Sequence, residues 1–157
     1  MHFELFADYF QFYLQDDDIN VGNVSDAWTP DATQRLRIAV VPSAIAVGTA
    51  RNDTVSVDVE VLNTSPSMEI DAWEHVVEAD LAIQTGRIVV AGCTDYFPGA
   101  ARLNVPSGVY RVRVLYGDRH SAADSAGDRL SYRVQLWPTT SPSAVSVVKQ
   151  GPVPWAG

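Results

Sequence analysis

The octet Thr54-Val55-Ser56-Val57-Asp58-Val59-Glu60-Val61 puts a valine at every second position and a hydroxyl or carboxylate between them. Period-two alternation of this kind fits a half-buried β-strand, because successive strand side chains point to opposite faces. Two other segments repeat it. Tyr110, Val112, Val114 and Tyr116 alternate with Arg111 and Arg113, and Leu130, Tyr132, Val134 and Leu136 alternate with Ser131, Arg133 and Gln135. One dry face and one wet face is the habit of antiparallel sheets. Val57, Val59, Val112, Val114, Val134 and Leu136 are therefore expected in the core, with Arg111, Arg113 and Arg133 exposed. Asp58 and Glu60, on the equivalent face of their strand, would pair with those arginines as a cross-strand ladder.

Weaker strand patterns fall at 2–6, 9–15, 35–41, 44–50, 76–83, 87–92 and 101–105. Turn chemistry separates them at Pro42-Ser43, Arg51-Asn52-Asp53, Thr85-Gly86, Pro98-Gly99, Pro106-Ser107-Gly108 and Gly117-Asp118. One helix start stands out within 25–36: Thr29-Pro30-Asp31-Ala32 offers an N-cap, a proline at the first position and an early acid. Its helix should last about two turns and end before Arg37. Eight to ten short strands and one short helix predict an all-β fold, a two-layer antiparallel β-sandwich of jelly-roll type. At 157 residues the chain suits a single domain. The expected division is a sandwich over 1–137 and a Pro/Ser-rich, extended C-terminal tail over 138–157, with an edge strand at 145–148.

Charge is unevenly spread. Residues 1–80 hold 15 acids against Arg35, Arg37 and Arg51, a net of −12, while residues 81–157 carry a net of +4, giving −8 in all. The stretches 4–31 and 69–80 contain no base. They are either a solvated face or a surface for a basic partner, and they would repel DNA and anionic lipid. Neither nucleic acid nor a membrane is therefore expected as a partner. No apolar run nears the ~20 residues of a membrane span. The opening Met1-His2-Phe3-Glu4-Leu5 lacks the pattern of a secretory signal, and the lone Cys93 suits a reducing compartment. A cytoplasmic location follows as the expectation, with the three Asn-x-Ser/Thr matches at Asn23, Asn52 and Asn63 arising by chance.

Most catalytic and cofactor chemistries lack their residues. Asp16-Asp17-Asp18-Ile19-Asn20-Val21-Gly22 resembles a calcium loop at first sight, but the glycine falls one place late and the twelfth position is Ala27. His2, His75 and His120 show no ligand spacing, so no metal is expected. His75 beside Glu74 and Glu78 could act as a general base only with a nucleophile or water at hand. No nucleophile-elbow or phosphate-loop motif occurs, and no cofactor is expected. Arg111, Arg113 and Arg133 share a polar strand face of the kind that can hold a nucleic-acid single strand, yet the chain has one lysine and the facing acids favour ion pairs.

Aromatics crowd the N-terminus. Alternation would bury Phe10, Phe12 and Leu14 and turn Tyr9, Gln11 and Tyr13 outward, beside Asp16, Asp17 and Asp18. An outward tyrosine pair is either surface packing or an interface, where tyrosine is enriched. With Trp28 and the acids Glu69, Asp71 and Glu74, these residues make up the candidate protein-binding set. The acids would steer the encounter and the aromatics would hold the complex.

Tyr9-Phe10-Gln11-Phe12, Gln15-Asp16, Trp28-Thr29-Pro30-Asp31-Ala32, Ala44-Ile45 and Arg51-Asn52 together resemble the competence protein J family, as does the Pro-x-Gly-x-Tyr hairpin Pro106-Ser107-Gly108-Val109-Tyr110. The resemblance spans 8–52 and 101–112; Asp71–Glu78 and Gly92–Tyr96 have no counterpart in it. It implies a small, acidic, non-enzymatic bacterial protein that binds a basic nuclease or toxin as an inhibitor or immunity-type protein. A small-molecule or carbohydrate-binding sandwich using Asp16–Asp18, and a hydrolase built on His75, are the alternatives.

Overall fold

The computed structural model describes residues 1–18, 20–117 and 131–155. The expected turn residue Asp118, His120 and the strand end at Leu130 lie outside them, as does Ile19. Among the described residues, eleven strands form two packed sheets. They are β1 (His2–Phe6), β2 (Gln11–Asp16), β3 (Ile38–Val41), β4 (Ala44–Gly48), β5 (Thr54–Val61), β6 (His75–Ile83), β7 (Arg87–Gly92), β8 (Ala101–Asn104), β9 (Gly108–Tyr116), β10 (Ser131–Pro138) and β11 (Ser146–Lys149). One sheet runs β1-β5-β10-β9-β6-β11 and the other β3-β4-β2-β7-β8. Every neighbouring pair is antiparallel except β5 and β10, which run parallel. The fold is the all-β sandwich that the alternation predicts. No helix among the described residues is long and apolar enough to cross a membrane.

The core lies between the sheets. Phe12, Leu14, Ile45, Val47, Ile88 and Val90 from one sheet meet Val57, Val59, Val77, Val112, Val114, Val134 and Leu136 from the other. All six aliphatics placed in the core by period two are buried there. Each such side chain stabilises the fold by roughly 1.5–3 kcal/mol relative to exposure. The tail contributes too: β11 pairs with the edge of β6, and Trp155 enters the core edge-on to Tyr116.

The arginines depart from the expected pattern. Arg133 is half-exposed and pairs with Glu60 at 3.3 Å, as a cross-strand ladder requires. Arg111 and Arg113 are buried instead, Arg113 with only 2% of its surface exposed. Their strand, β9, lies between β10 and β6, and irregular chain covers its outer face. Arg113 donates to the Ser67 carbonyl at 3.2 Å, and Arg111 donates to the carbonyls of Ser143 and Ala144. Their carboxylate partners come from β6: Glu78 accepts from Arg111 at 3.2 Å and Arg113 at 2.9 Å, and Asp80 accepts from Arg111 at 3.0 Å. A wet-face pattern describes a strand, not what later chain lays over it.

The single helical signature also resolves into smaller pieces. Val24–Ala27 forms a 3-10 turn, capped by the Asn23 side chain accepting from Ser25 N. Thr29 then caps a second turn, its hydroxyl accepting from Ala32 N at 3.1 Å. That turn widens over Ala32–Leu36 into a π-helical step, closed by Arg37 N donating to the Ala32 carbonyl at 2.7 Å. Arg37 ends it in the left-handed conformation, φ 65°. Losing a threonine cap costs about 1 kcal/mol, so Thr29→Ala should lower unfolding stability by that amount. Urea denaturation checks it, and an unchanged midpoint would mean that the cap is idle.

Candidate binding surface

Strand β2 places Phe12, Leu14 and Asp16 inward and Gln11, Tyr13 and Gln15 outward. The outward residues are half-covered, because the 23–28 segment folds across them. Trp28 Nε1 donates to Gln11 Oε1 at 3.1 Å, and Tyr13 packs with Ala27 and Trp28 over Val24, Ala39 and Ala46. The Tyr13 hydroxyl lies 3.2 Å from Cys93 Sγ. Burial, more than that contact, pushes the Tyr13 phenol above its ordinary range. Tyr13 is thus a packing residue with a wet edge, in place of the fully outward tyrosine expected from alternation.

Phe10 is corrected more sharply. It was placed in the core, but β2 begins only at Gln11, and Ala7–Phe10 forms a tight turn ahead of it. Tyr9 and Phe10 are successive left-handed residues, at φ 54° and 58°, with 68% and 44% of their surface exposed. Beside them opens a groove of about 250 Å³, bounded by Tyr9, Phe10, Gln11, Trp28, Thr49 and Trp155. Gly48 lines it as well: a Cβ there would stand 3.3 Å from both the Trp28 and Trp155 rings.

The other candidates lie elsewhere. Gln11 and Asp17 stand six residue steps apart along extended chain, or about 20 Å. Asp16, 1% exposed, accepts from Gln84 N, Thr85 N and the Thr85 hydroxyl, and so holds the β6–β7 turn. It offers no carboxylate to a partner. Asp17 is held between Arg102 and Arg87, whose hydrogen bonds pull its carboxyl below the usual range. Asp18 accepts from Asn20 N. Steering by all three acids, as the sequence suggests, thus loses Asp16 to burial and most of Asp17 to two guanidinium partners. Glu69 and Asp71 are exposed on the segment joining β5 to β6. Glu74, at its end, is half-buried and pairs with Arg37 at 3.4 Å. The structure therefore gathers Tyr9, Gln11 and Trp28 at one groove and leaves the acids dispersed.

His75 is fully buried at the start of β6. Nε2 lies 3.0 Å from the Leu36 carbonyl, which can only accept, so Nε2 carries the proton. Nδ1 accepts from Gly151 N at 3.0 Å. Both nitrogens are engaged, so neither meets a substrate. Burial, aided by the nearby Arg37 charge and opposed by the hydrogen bond to the Leu36 carbonyl, lowers the imidazole pKa to about 4. Among the described residues, no group of three His, Cys, Asp or Glu side chains converges on a point that could hold a metal.

Several residues at the groove carry no warning in the alternation. Arg37 is buried, its guanidinium 4.6 Å from the Trp155 ring centre and donating to the Pro152 carbonyl at 2.8 Å. Gln34 holds Trp155 from both sides, accepting from its N–H at 2.5 Å and donating to its carbonyl at 3.0 Å. A tryptophan directly after Pro152-Val153-Pro154 was the available signal for an anchored tail.

No protein-family model matches the chain, and no curated protein matches it by sequence. Two solved structures do match in shape. ComJ from Bacillus subtilis, described as an inhibitor of the DNA-degrading activity of NucA, superposes with a TM-score of 0.70 at 18% identity, covering 88% of this chain and 96% of ComJ. A protein described as crocagin biosynthetic gene J matches with a TM-score of 0.60 at 14% identity, covering 88% of this chain and 94% of its own. The chain thus has a ComJ-like β-sandwich fold, over nearly the whole length of both relatives.

Proposed function

We propose that this chain is a non-enzymatic binding protein of the cytoplasm that inhibits a nuclease. The observation that carries the proposal is the ComJ-like fold, matched across 96% of an inhibitor of a DNA-degrading enzyme. A shared fold does not by itself transfer a partner, so the site must agree. It does in kind. His75 is locked away from solvent, while aromatic rings stand exposed around a groove of about 250 Å³. That volume is below the ~300–1,000 Å³ typical of small-molecule pockets and fits a protein side chain. The net charge of −8 complements the cationic cleft that a nuclease needs for DNA phosphates.

The test is an inhibition assay with a purified DNA-degrading nuclease of the same organism, plasmid degradation being followed with and without the protein. An equimolar amount should slow degradation at least tenfold, less so as salt rises, since screening shortens to ~8 Å at physiological ionic strength. Undiminished degradation, with no complex on size exclusion, would sink the inhibitor reading.

A further inference from the structure

The Ala7–Phe10 turn is bonded to two neighbouring loops. Ala7 N donates to the Asp53 carbonyl at 2.9 Å, Thr49 N to the Phe10 carbonyl at 2.8 Å, and the Thr94 hydroxyl to Asp8 Oδ2 at 3.2 Å. Loops 7–10, 49–53 and 93–97 therefore form one continuous end of the sandwich. Exposed aromatics concentrate there: Tyr9, Phe10 and, at 78% exposure, Tyr96. Large exposed rings clustered in this way mark interaction sites more often than they serve a monomer's own stability.

The backbone argues in the same direction. Left-handed geometry is unfavourable for bulky residues and is well tolerated by asparagine. At Tyr9 and Phe10 the fold accepts that strain without burying either ring. Local stability does not account for aromatics at these two positions, and strain retained at a surface is a mark of function.

The charges identify the occupant. Loops 7–10, 49–53 and 93–97 carry Asp8, Asp53 and Asp95 against the single base Arg51. A backbone N–H fixes each carboxylate: Tyr9 N to Asp8 at 3.0 Å, Thr54 N to Asp53 at 2.7 Å and Gly92 N to Asp95 at 2.7 Å. Acids held this way lose little freedom when a cation arrives. The groove beside them is walled by Tyr9, Phe10 and Trp28, and aromatic faces attract a desolvated lysine or arginine.

We propose that this end of the sandwich is a docking surface for a basic polypeptide, with one lysine or arginine side chain entering the groove between Tyr9, Phe10 and Trp28 while flanking cations meet Asp8, Asp53 and Asp95. The proposal rests on the inhibitor reading only in taking the occupant to be a protein.

The probe is a pair of synthetic dodecapeptides, one alternating lysine with leucine and serine, the other carrying glutamate at every lysine position. Each is titrated into the ¹⁵N-labelled full chain. The lysine peptide should shift amides of 7–11, 49–53 and 93–97 and the indole N–H of Trp28; the glutamate peptide should shift none of them. Tyr9→Asn combined with Phe10→Asn should weaken binding at least tenfold while the melting temperature stays level or rises, because asparagine suits the backbone. Asp53→Asn with Asp95→Asn keeps both acceptors, removes the charges and should weaken binding severalfold, with a flatter salt dependence. No shift, shifts confined to another face, or full affinity in either double variant overturns the surface. In the nuclease assay, a Tyr9/Phe10 variant that inhibits as wild type also overturns the surface and leaves the inhibitor reading standing. Peptide binding here by a protein that inhibits no nuclease supports the surface and removes that reading.

Discussion

Glu78→Leu is expected to destabilise the protein by about 3–5 kcal/mol, the usual cost of removing one partner from a buried ion pair. Glu78 accepts from Arg111 and Arg113 at once, and both arginines are buried under chain from 67 and 143–144. Arg111 keeps Asp80 when Glu78 is lost. Among the described residues, Arg113 then keeps only the Ser67 carbonyl and the Trp137 ring, 5.1 Å from its guanidinium carbon, so its charge loses its carboxylate there. Adding Arg113→Met should recover much of the loss, because an apolar pair of similar volume often replaces a buried ion pair at little cost. Urea denaturation of both single variants and the double variant gives the coupling directly. A Glu78→Leu cost below about 1 kcal/mol would show that the covering segment opens to water and that the pair is effectively exposed.

The second large effect depends on pH. His75 has a folded pKa of about 4 against ~6.5 for an unfolded histidine. Between those values the unfolded chain binds the proton and the folded chain does not, so stability rises with pH. The contribution is complete above pH ~6.5 and is lost as pH falls toward 4. The whole interval is worth on the order of 3 kcal/mol, at 1.36 kcal/mol per pKa unit. Protonation would also oblige Nδ1 to stop accepting from Gly151 N and would bring a second cation near Arg37. His75→Gln cannot titrate. Its stability deficit relative to wild type, measured from pH 7 down to pH 4, should shrink by about that amount. Parallel pH curves for the two proteins would contradict the buried neutral imidazole.

Both effects involve parts of the fold that were hard to read in the sequence. Alternation located the strands because burial of one face is a local, repeating demand, and Val57, Val114 and Val134 satisfy it without reference to anything distant. Whether Arg113 is wet depends on Ser67, 46 residues away, and no periodicity carries that information. The same holds for Asp16, which sits in an acidic run yet serves Gln84 and Thr85 across the sandwich. At the groove, Tyr9, Gln11 and Trp28 were recognisable as surface aromatics and their polar neighbour. Phe10 was not, since a strand pattern extended two residues too far assigned it to the interior. The left-handed turn that exposes it is set by tertiary bonds to Asp53 and Thr49, and the residue types Ala7-Asp8-Tyr9-Phe10 give little hint of it.

The order of strands also bears on how fast the chain can find this arrangement. β1 pairs with β5, β2 with β7, β5 with β10 and β6 with β11, each joining segments roughly 50 to 80 residues apart. Among the described residues, only β3–β4, β7–β8 and β9–β10 join strands that follow one another. Loop-closure entropy must be spent before most of these pairings return any enthalpy, which places the protein among high-contact-order folds that form in milliseconds to seconds. The transition state should therefore need β5 and β10 already side by side. Substitutions at Val57 or Val134 should slow refolding, whereas changes near Tyr9 or Trp155 should act chiefly on the unfolding rate.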